Sequence, residues 1–439
     1  MADHTPYAIV GTGGRYAMYL RAIIRDFNNS AKVVGLCDIN PHRLKVAAEY
    51  AVKLGSEPVP TWGADAFDAM IAETRPDKVI VTSVDRTHDK YIIRAMELGC
   101  DVISEKPMTT TAEKCQAILD AINRTGRELK VTFNYRYAPR NSQVKALLMD
   151  KVVGNIKSVH FEWLLDTRHG ADYFRRWHRD KRNSGGLMVH KATHHFDLVN
   201  WWIDSYPRTV FAMGDLVFYG RANAEGRGVT RFYDRGTDDP NAAGDPFALD
   251  LKRDKRLKQI YYDAEYADGY RRDQSVFGDG ISIEDDMAVM VRYENRVSMS
   301  YHLTAYSPWE GYRVAFNGDA GRLEYEVHEN SYISAAEDDA NLVENREAAS
   351  IHEPARILVR PHWRAPYEVA LERLDEAGHG GGDARLLQDV FMPVDDDPLG
   401  RAANHIDGAK SILTGIAANK SMATGLPVDV RTLVKFKQE

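Results

Sequence analysis

The stretch "YAIVGTGGRYAMYLRAII", from Tyr7 to Ile24, decides how the N-terminal part of the chain folds. It passes from a short apolar run through a glycine-rich turn into a helical pattern, which is the strand-turn-helix order of a dinucleotide-binding fingerprint. Gly11 permits the tight turn, and Gly13 lets the backbone approach a pyrophosphate at the start of the helix. Tyr16 occupies the place of the third glycine of that fingerprint. We expect the turn to contact the cofactor through Gly11, Thr12, Gly13, Gly14 and Arg15.

Asp38 is the second sign of a nucleotide site. It ends the apolar segment "KVVGLCD" and lies about 25 residues beyond Gly13, close to the spacing at which a carboxylate accepts the ribose hydroxyls. Because a carboxylate repels a 2′-phosphate, Asp38 favours NAD over NADP. Arg15, His42 and Arg43 lie near enough in the sequence to oppose this preference, and Arg43 is included among the expected cofactor contacts.

Three more apolar segments continue the pattern: "DKVIVTS" (77–83), "DVISEKP" (101–107) and "LKVTFNY" (129–135). Strands that alternate with helices predict a parallel, doubly wound sheet, here over residues 1–135. Ligands of such sheets bind at the carboxyl ends of the strands. We therefore expect further cofactor contacts from Ser83, His88, Glu105 and Lys106, and a place for Tyr135 beside them.

The segment "GGLMVHKATHHFDLVNWW", Gly185 to Trp202, has ionisable residues in what otherwise resembles a buried amphipathic helix. At 100° per residue, His190 and His194 share one stripe, and Lys191 and His195 share the next. Buried ionisable groups cost several kcal/mol unless they are paired or serve a site. They can belong to a helix end whose long side chains reach water, or to a functional site. Two histidines at i and i+4 can also bind zinc, but no glutamate lies between them and no cysteine accompanies them, so we predict no metal site.

Composition narrows the possible functions. A chain of 439 residues exceeds the size of one core, so two domains are expected. A net charge of −7 argues against nucleic acid or an anionic membrane as partner. The three cysteines do not have the spacing of a metal or redox motif, and their number argues against a disulfide framework. No leader pattern and no apolar run of membrane-spanning length occurs, so we expect a cytoplasmic protein.

The second half of the chain predicts a different architecture. After Ile156 it alternates as strands, in "IKSVHFEWLLD", "DDMAVMVRYENRVSMSYHLTAY" and "YRVAFNGDAGRLEYEV". This predicts a second, α+β domain over residues 136–439, with turns at Glu294–Asn295 and at 319–321. A long polar insertion, about 219–280, is expected to be a functional lid or a subunit contact. The basic run "YFRRWHRDKR" (173–182) is either a solvated loop or an anion-binding rim.

Seven segments in the same order resemble the Gfo/Idh/MocA family of nicotinamide-dependent sugar oxidoreductases: "GTGGR", "CDIN", "TSVDRTHDKYI", "SEKPMTTT", "NYRYAP", "GGLMVHKATHHFDLVNWW" and "HIDGAKSILTGIAANKSMATGLPVDV". The resemblance covers nearly the whole chain. It implies a Rossmann domain that binds NAD, followed by an α+β domain with a large, open, mostly antiparallel sheet. It also implies a homodimer or homotetramer formed through that sheet.

The resemblance assigns roles to the site residues. Lys106, in the Glu-Lys-Pro motif with Glu105, would lie beside the nicotinamide and the substrate. The helix after the Gly-Gly pair usually carries an aspartate and, four residues later, the histidine that takes the substrate proton. Here His194 has the position of that base, whereas His190 replaces the aspartate.

Further residues are candidates for the same site. Lys191 and His195 could reach the substrate from the adjoining stripe. Tyr135 and Arg136 could contact the substrate, or be a hydrogen-bonded tyrosine and a structural ion pair.

Two functions follow from these candidates. The first is an NAD-dependent dehydrogenase that oxidises a ring hydroxyl of a sugar or cyclitol, with His194 as base and Lys106 assisting. The second is a redox-neutral, NAD-dependent glycosidase similar to the sulfoquinovosidases, which needs more titratable groups. A cofactor-binding regulator without chemistry is disfavoured because Lys106 and His194 are both present. The basic residues around the site indicate an anionic sugar: Arg136, Arg168, His169, Arg175, Arg176, His190 and Lys191.

Overall fold

The first sheet is parallel and has six strands. The computed structural model describes residues 4–333, 355–372, 381–392 and 396–436. The strands are β1 (Thr5–Val10), β2 (Ala31–Asp38), β3 (Thr61–Gly63), β4 (Lys78–Val81), β5 (Asp101–Ser104) and β6 (Leu129–Val131). Their order in the sheet is β3-β2-β1-β4-β5-β6, which is the doubly wound order with its switch point between β1 and β4. The predicted Rossmann sheet is confirmed, and the sequence analysis missed only the short β3 among its strands.

Five helices connect these strands: α1 (Tyr16–Arg21), α2 (Pro41–Lys53), α3 (Phe67–Thr74), α4 (His88–Glu97) and α5 (Ala112–Thr125). A π-helical turn, Ala22–Asp26, extends α1. The side chain of Asn40 caps α2 by accepting hydrogen bonds from the backbone N–H groups of His42 and Arg43. This cap fixes the start of α2 directly after Asp38, at the carboxyl end of β2.

The second sheet has nine strands and is mostly antiparallel. They are β7 (Ile156–Asp166), β8 (Pro207–Asp215), β9 (Asp286–Tyr293), β10 (Ser298–Ser307), β11 (Gly311–Gly318), β12 (Gly321–His328), β13 (Ala355–Pro361), β14 (Tyr367–Glu368) and β15 (Val428–Asp429). The order is β14-β13-β12-β11-β7-β10-β9-β8-β15, and β7 and β10 pair in parallel. The predicted antiparallel hairpins β9–β10 and β11–β12 are both present. The expected second, α+β architecture is therefore confirmed.

The remaining helices are α6 (Pro139–Met149), α7 (His169–Arg175), α8 (Lys181–Ser184), α9 (Leu187–His190), α10 (Thr193–Trp202), α11 (Arg221–Gly226), α12 (Lys255–Ile260), α13 (Glu265–Asp268), α14 (Gly382–Phe391) and α15 (His405–Thr424). Helix α15 passes close to α9, since a Cβ on Gly415 would lie 2.2 Å from the Met188 carbonyl oxygen. Helix α14 packs on the first sheet, where Phe391 meets Tyr7 edge to face. Helix α14 therefore packs on the sheet of the first domain, although a division of the chain at residue 135 assigns it to the second. No helix in the described ranges is long and apolar enough to cross a membrane.

The segment Gly185–Trp202 is not one continuous helix, and that prediction is wrong. Lys191 and Ala192 separate α9 from α10. The backbone hydrogen bonds change there from an i to i−5 bond, Ala192 to Leu187, to an i to i−3 bond, His194 to Lys191. Because this change alters the rotation per residue, the stripes predicted from a uniform 100° do not extend across the break.

Candidate active site

The glycine turn and Asp38 lie together at the switch point of the first sheet. Gly11 has φ +93°, and a Cβ there would lie 2.5 Å from the backbone nitrogen of Ser83, so only glycine fits between β1 and β4. Apart from Gly13 and its two chain neighbours, no heavy atom of the described residues lies within 4 Å of the place that a Cβ on Gly13 would take. The Asp38 carboxylate accepts hydrogen bonds from the hydroxyl of Thr12 at 3.0 Å and from the N–H of Asn40 at 2.7 Å. An open space beside the turn and an acceptor at the end of β2 fit a dinucleotide.

The side chain of Arg15, the last of the predicted turn residues, points towards Glu105 at the end of β5. Its Nε lies 2.9 Å from Glu105 Oε1, and the Tyr19 hydroxyl donates to the same oxygen at 2.9 Å. Glu105 is therefore held by two donors, one from the residue that precedes α1 and one from α1 itself. This arrangement fixes the backbone that leads directly into Lys106.

Ser83 and His88 have their contacts within the protein. The buried His88 ring bridges two carbonyl oxygens, with Nδ1 2.8 Å from Pro107 O and Nε2 3.0 Å from Ser83 O. The Ser83 hydroxyl bonds to that of Thr87. Of these two expected cofactor contacts, His88 joins the loop after β4 to the loop after β5, next to Lys106 in the chain.

Lys106 connects the two domains. Its Nζ donates to the backbone carbonyl of His190 at 3.2 Å. Burial, together with the positive charges of Arg15 and Arg176, lowers the pKa of Lys106 to about 8, against the opposing charges of Asp85 and Glu105. The lysine thus lies between the carboxyl end of the first sheet and the histidine segment.

His190 meets a carboxylate that the sequence analysis did not single out. Its Nδ1 lies 2.5 Å from Asp85 Oδ2, and its ring lies edge to face with His178 at 4.2 Å between centroids. Burial, and then the charge of Lys106, lowers the pKa of His190. Burial raises the pKa of Asp85 in spite of Lys106 and Arg176. Asp85 lies four residues beyond β4, and this position at the carboxyl end of a strand is the sequence feature that could have identified it as a site residue.

Tyr135 is the centre of a second group. His194 stacks on its ring, with centroids 4.3 Å apart, and Lys191 Nζ lies 3.3 Å from its hydroxyl and 4.9 Å from the centroid of Trp163. Burial, with the nearby charges of Glu329 and Glu310, raises the pKa of Tyr135 well above its usual value. Tyr135 therefore keeps its proton and contacts both His194 and Lys191.

Two expected substrate residues are held in the interior. The His195 ring is fully buried, stacks on Trp163 at 3.9 Å and lies with Nδ1 2.6 Å from the Tyr301 hydroxyl. Arg136 is buried and forms two hydrogen bonds with Asp197, of 2.7 and 2.6 Å, and an ion pair with Asp407 at 3.1 Å. For Arg136 this is the structural ion pair that the sequence left open.

The basic run converges on one buried carboxylate. Asp172 is met by Arg272 at 2.6 Å, Arg176 at 2.8 Å and Arg175 at 3.7 Å. Although burial raises it, these three arginines hold the pKa of Asp172 well below its usual range. Three cations around one anion leave an excess of positive charge, and the Arg176 side chain keeps 20% of its surface exposed.

His169 meets a carboxylate through its ring, and Arg168 is held through its backbone. His169 Nδ1 lies 2.7 Å from Glu310 Oε1, and the backbone N–H of Arg168 donates to Asp166 at 2.9 Å. Among the described residues, no three His, Cys, Asp or Glu side chains are placed to hold a metal ion.

Two family models match the chain. The first, described as "Oxidoreductase family, NAD-binding Rossmann fold", covers residues 6–133. The second, "Oxidoreductase family, C-terminal alpha/beta domain", covers residues 145–430. Together they cover nearly all of both sheets, with Lys106 in the first match and the segment from His190 to His194 in the second, whereas Tyr135 and Arg136 lie between the two matches.

Individual relatives agree with these models. YteT of Bacillus subtilis (strain 168), provisionally classed as an oxidoreductase, is 34% identical over 457 residues, covering 96% of each chain. D-glucoside 3-dehydrogenase of Escherichia coli (strain K12) is 32% identical over 149 residues, covering 34% of this chain and 40% of its own. The WlbA dehydrogenase of Bordetella pertussis, solved with NADH and UDP-GlcNAcA, shares the fold with a TM-score of 0.62 and 15% identity, covering 97% of this chain and 99% of its own.

Proposed function

The chain belongs to the Gfo/Idh/MocA family of NAD-dependent oxidoreductases, and we propose that it oxidises a ring hydroxyl of a sugar or cyclitol between Lys106 and α10. One observation carries this proposal: the 3.2 Å contact between Lys106 Nζ and the carbonyl of His190. It brings the lysine of the cofactor domain to the segment that holds the histidines.

The histidine and the lysine have complementary tasks. When bound, NAD supplies the hydride acceptor. His194 takes the proton of the reacting hydroxyl, as a positioned imidazole can near neutral pH. The Lys106 ammonium stabilises the negative charge that develops on the same oxygen. Tyr135 keeps His194 in place through the stacked rings.

The preferred substrate in this proposal is an anionic sugar, and Arg176 is the group that recognises it. Most basic candidates from the sequence already meet a carboxylate: Arg136 meets Asp197, His169 meets Glu310 and His190 meets Asp85. The cluster around Asp172 differs, because three arginines share one carboxylate. A carboxylate or sulfonate on the sugar would complete the charge balance through hydrogen bonds to the exposed part of Arg176.

A second candidate function is the redox-neutral glycosidase. The group of Asp85, His190 and His178 favours it, because these residues provide titratable side chains beside Lys106 in addition to His194. In that cycle the sugar is oxidised, loses its aglycone by elimination, takes up water and is reduced again. Such a cycle needs a base at a second carbon and an acid at the leaving group.

One experiment separates the two functions. The enzyme is incubated with NAD and aryl glycosides of anionic and neutral sugars, and both NADH and free aglycone are quantified. A dehydrogenase forms one NADH for each sugar oxidised and releases no aglycone. A glycosidase releases aglycone over many turnovers without net NADH.

The outer face of the second sheet is the proposed subunit interface of a homodimer or homotetramer. Met213 and Met290 lie on neighbouring strands of this face and are 65% and 60% exposed. They border a groove lined by His160, Phe211, Arg313 and Glu324, among others. Light scattering of the wild type and of Met290→Glu tests this: the variant should dissociate, and a monomeric wild type would contradict the proposal.

A further inference from the structure

The insertion of residues 219–280 folds back onto the nucleotide edge of the first domain. Its own small core consists of Leu249, Leu251 and Leu257. Four contacts join it to the glycine turn and to the start of α2: Arg256 to the Gly14 carbonyl, Asn40 to the Ala264 carbonyl, His42 to the Gln259 carbonyl, and Arg43 to Asp268. A distant part of the chain thus contributes side chains directly beside Asp38.

Arg43 lies between two carboxylates at this corner. Its Nη2 is 3.5 Å from Asp38 Oδ1 and closer still to Asp268 Oδ2. The Arg43 and Asp268 side chains are only 10% and 14% exposed. Against the effect of burial, a hydrogen bond from Asn40 and the charge of Arg43 lower the pKa of Asp268. The corner therefore holds two negative charges and one positive charge.

This charge balance matters for the choice between NAD and NADP, because the two cofactors differ at the 2′ position of the adenosine ribose. A carboxylate at the end of the second strand accepts the 2′-hydroxyl of NAD, whereas a nearby arginine accommodates the 2′-phosphate of NADP. Arg43 is such an arginine, since it reaches Asp38. Asp268 occupies its guanidinium and also adds a second negative charge, which repels a phosphate carrying nearly two charges of its own.

We propose that Asp268, supplied by the insertion, is a cofactor-specificity residue that excludes NADP by holding Arg43 away from a 2′-phosphate. This inference goes beyond the sugar chemistry proposed above and is independent of it, because it concerns only the binding of the dinucleotide. It gives the insertion a defined task in the first domain.

The test measures dissociation constants of NADH and NADPH by fluorescence titration, without any sugar. In Asp268→Asn, Arg43 is released and one negative charge is lost. We expect the affinity for NADPH to rise by about tenfold or more, and that for NADH to change little. In the double variant Arg43→Ala/Asp268→Asn, most of the gain should disappear, since the released cation is missing.

A matched control comes from the same insertion. Asp263 pairs with Lys258 at 2.7 Å, so its carboxylate has its cation within the insertion itself. Asp263→Asn should leave both dissociation constants unchanged. Arg43→Gln removes the positive charge of the same pair. Asp268 then has no compensating cation, so the binding of NADPH should weaken more than the binding of NADH.

Two results would overturn the inference. Asp268→Asn could weaken NADH and NADPH equally, or leave NADPH binding as poor as in the wild type; either shows that Asp268 only attaches the insertion. If Asp268→Asn does not fold, an equal effect of Arg43→Gln on both cofactors has the same meaning. Failure to find a sugar substrate would contradict the proposed function and would leave these binding constants unaffected.

Discussion

Asp85 and His190 belong to different domains, and their side chains meet with Oδ2 and Nδ1 2.5 Å apart. Asp85 also raises the pKa of Lys106 by its charge. The pair therefore connects the loop after β4, the lysine after β5 and the segment that leads to His194. Each of these groups can be tested separately by its effect on the pH profile.

Lys106 should set the alkaline limit of activity. Its pKa is lowered to about 8, and only the protonated ammonium stabilises the developing oxyanion. We therefore expect kcat/KM to fall as pH rises through about 8. In Lys106→Arg the guanidinium stays charged over this range, so the decline should be absent at a reduced overall rate. A wild-type profile that stays flat to pH 10, roughly the usual pKa of a lysine, would contradict this role.

Asp85→Asn should move that alkaline limit to lower pH. The substitution keeps the shape of the side chain but removes the negative charge that raises the pKa of Lys106. The lysine then loses its proton at lower pH. The measurement is the pH dependence of kcat/KM for the wild type and the variant under the same conditions. An unchanged limit would mean that Asp85 carries no negative charge when Lys106 titrates.

His194→Ala should lower kcat by a factor on the order of 10² to 10⁴, the usual effect of removing a positioned base. NADH binding, followed by fluorescence titration, should not change. His362→Ala is the matched control, because His362 is exposed and directly follows β13. A His194→Ala enzyme that remains active would contradict this role and transfer the role of base to another residue, such as His190.

The sequence predicted what depends on local patterns. The order of strands and helices, the glycine turn with Asp38 beside it, and the placement of Lys106 at a strand end all follow from short-range periodicity and spacing. The sheet of the second domain was equally visible in its alternation and in the turns of its hairpins.

What the sequence could not show depends on contacts between distant segments. Asp85 and His190 are 105 residues apart, and Arg43 and Asp268 are 225 apart. No periodicity links such positions. The break after His190 was missed for another reason: a uniform helical period was assumed where the backbone bonds change, so His190 and His194 were expected on one face.

Arg176 provides the most direct test of the proposed chemistry and its preferred substrate. NADH formation is followed for a sugar acid and for the neutral sugar of the same stereochemistry, with the wild type, Arg176→Gln and Arg182→Gln. Arg182 is the matched control, since it lies in the same basic run but is 89% exposed and pairs with Asp180.

We expect the wild type to oxidise the acid with the higher kcat/KM and to form one NADH for each molecule oxidised. A charge-assisted hydrogen bond contributes roughly 1.5 to 3 kcal/mol, so Arg176→Gln should reduce the ratio of kcat/KM between acid and neutral sugar by about tenfold or more. Arg182→Gln should keep the wild-type ratio. A ratio near one in the wild type, or one that Arg176→Gln leaves unchanged, would contradict the anionic substrate, and the absence of NADH with both sugars would contradict the oxidation itself.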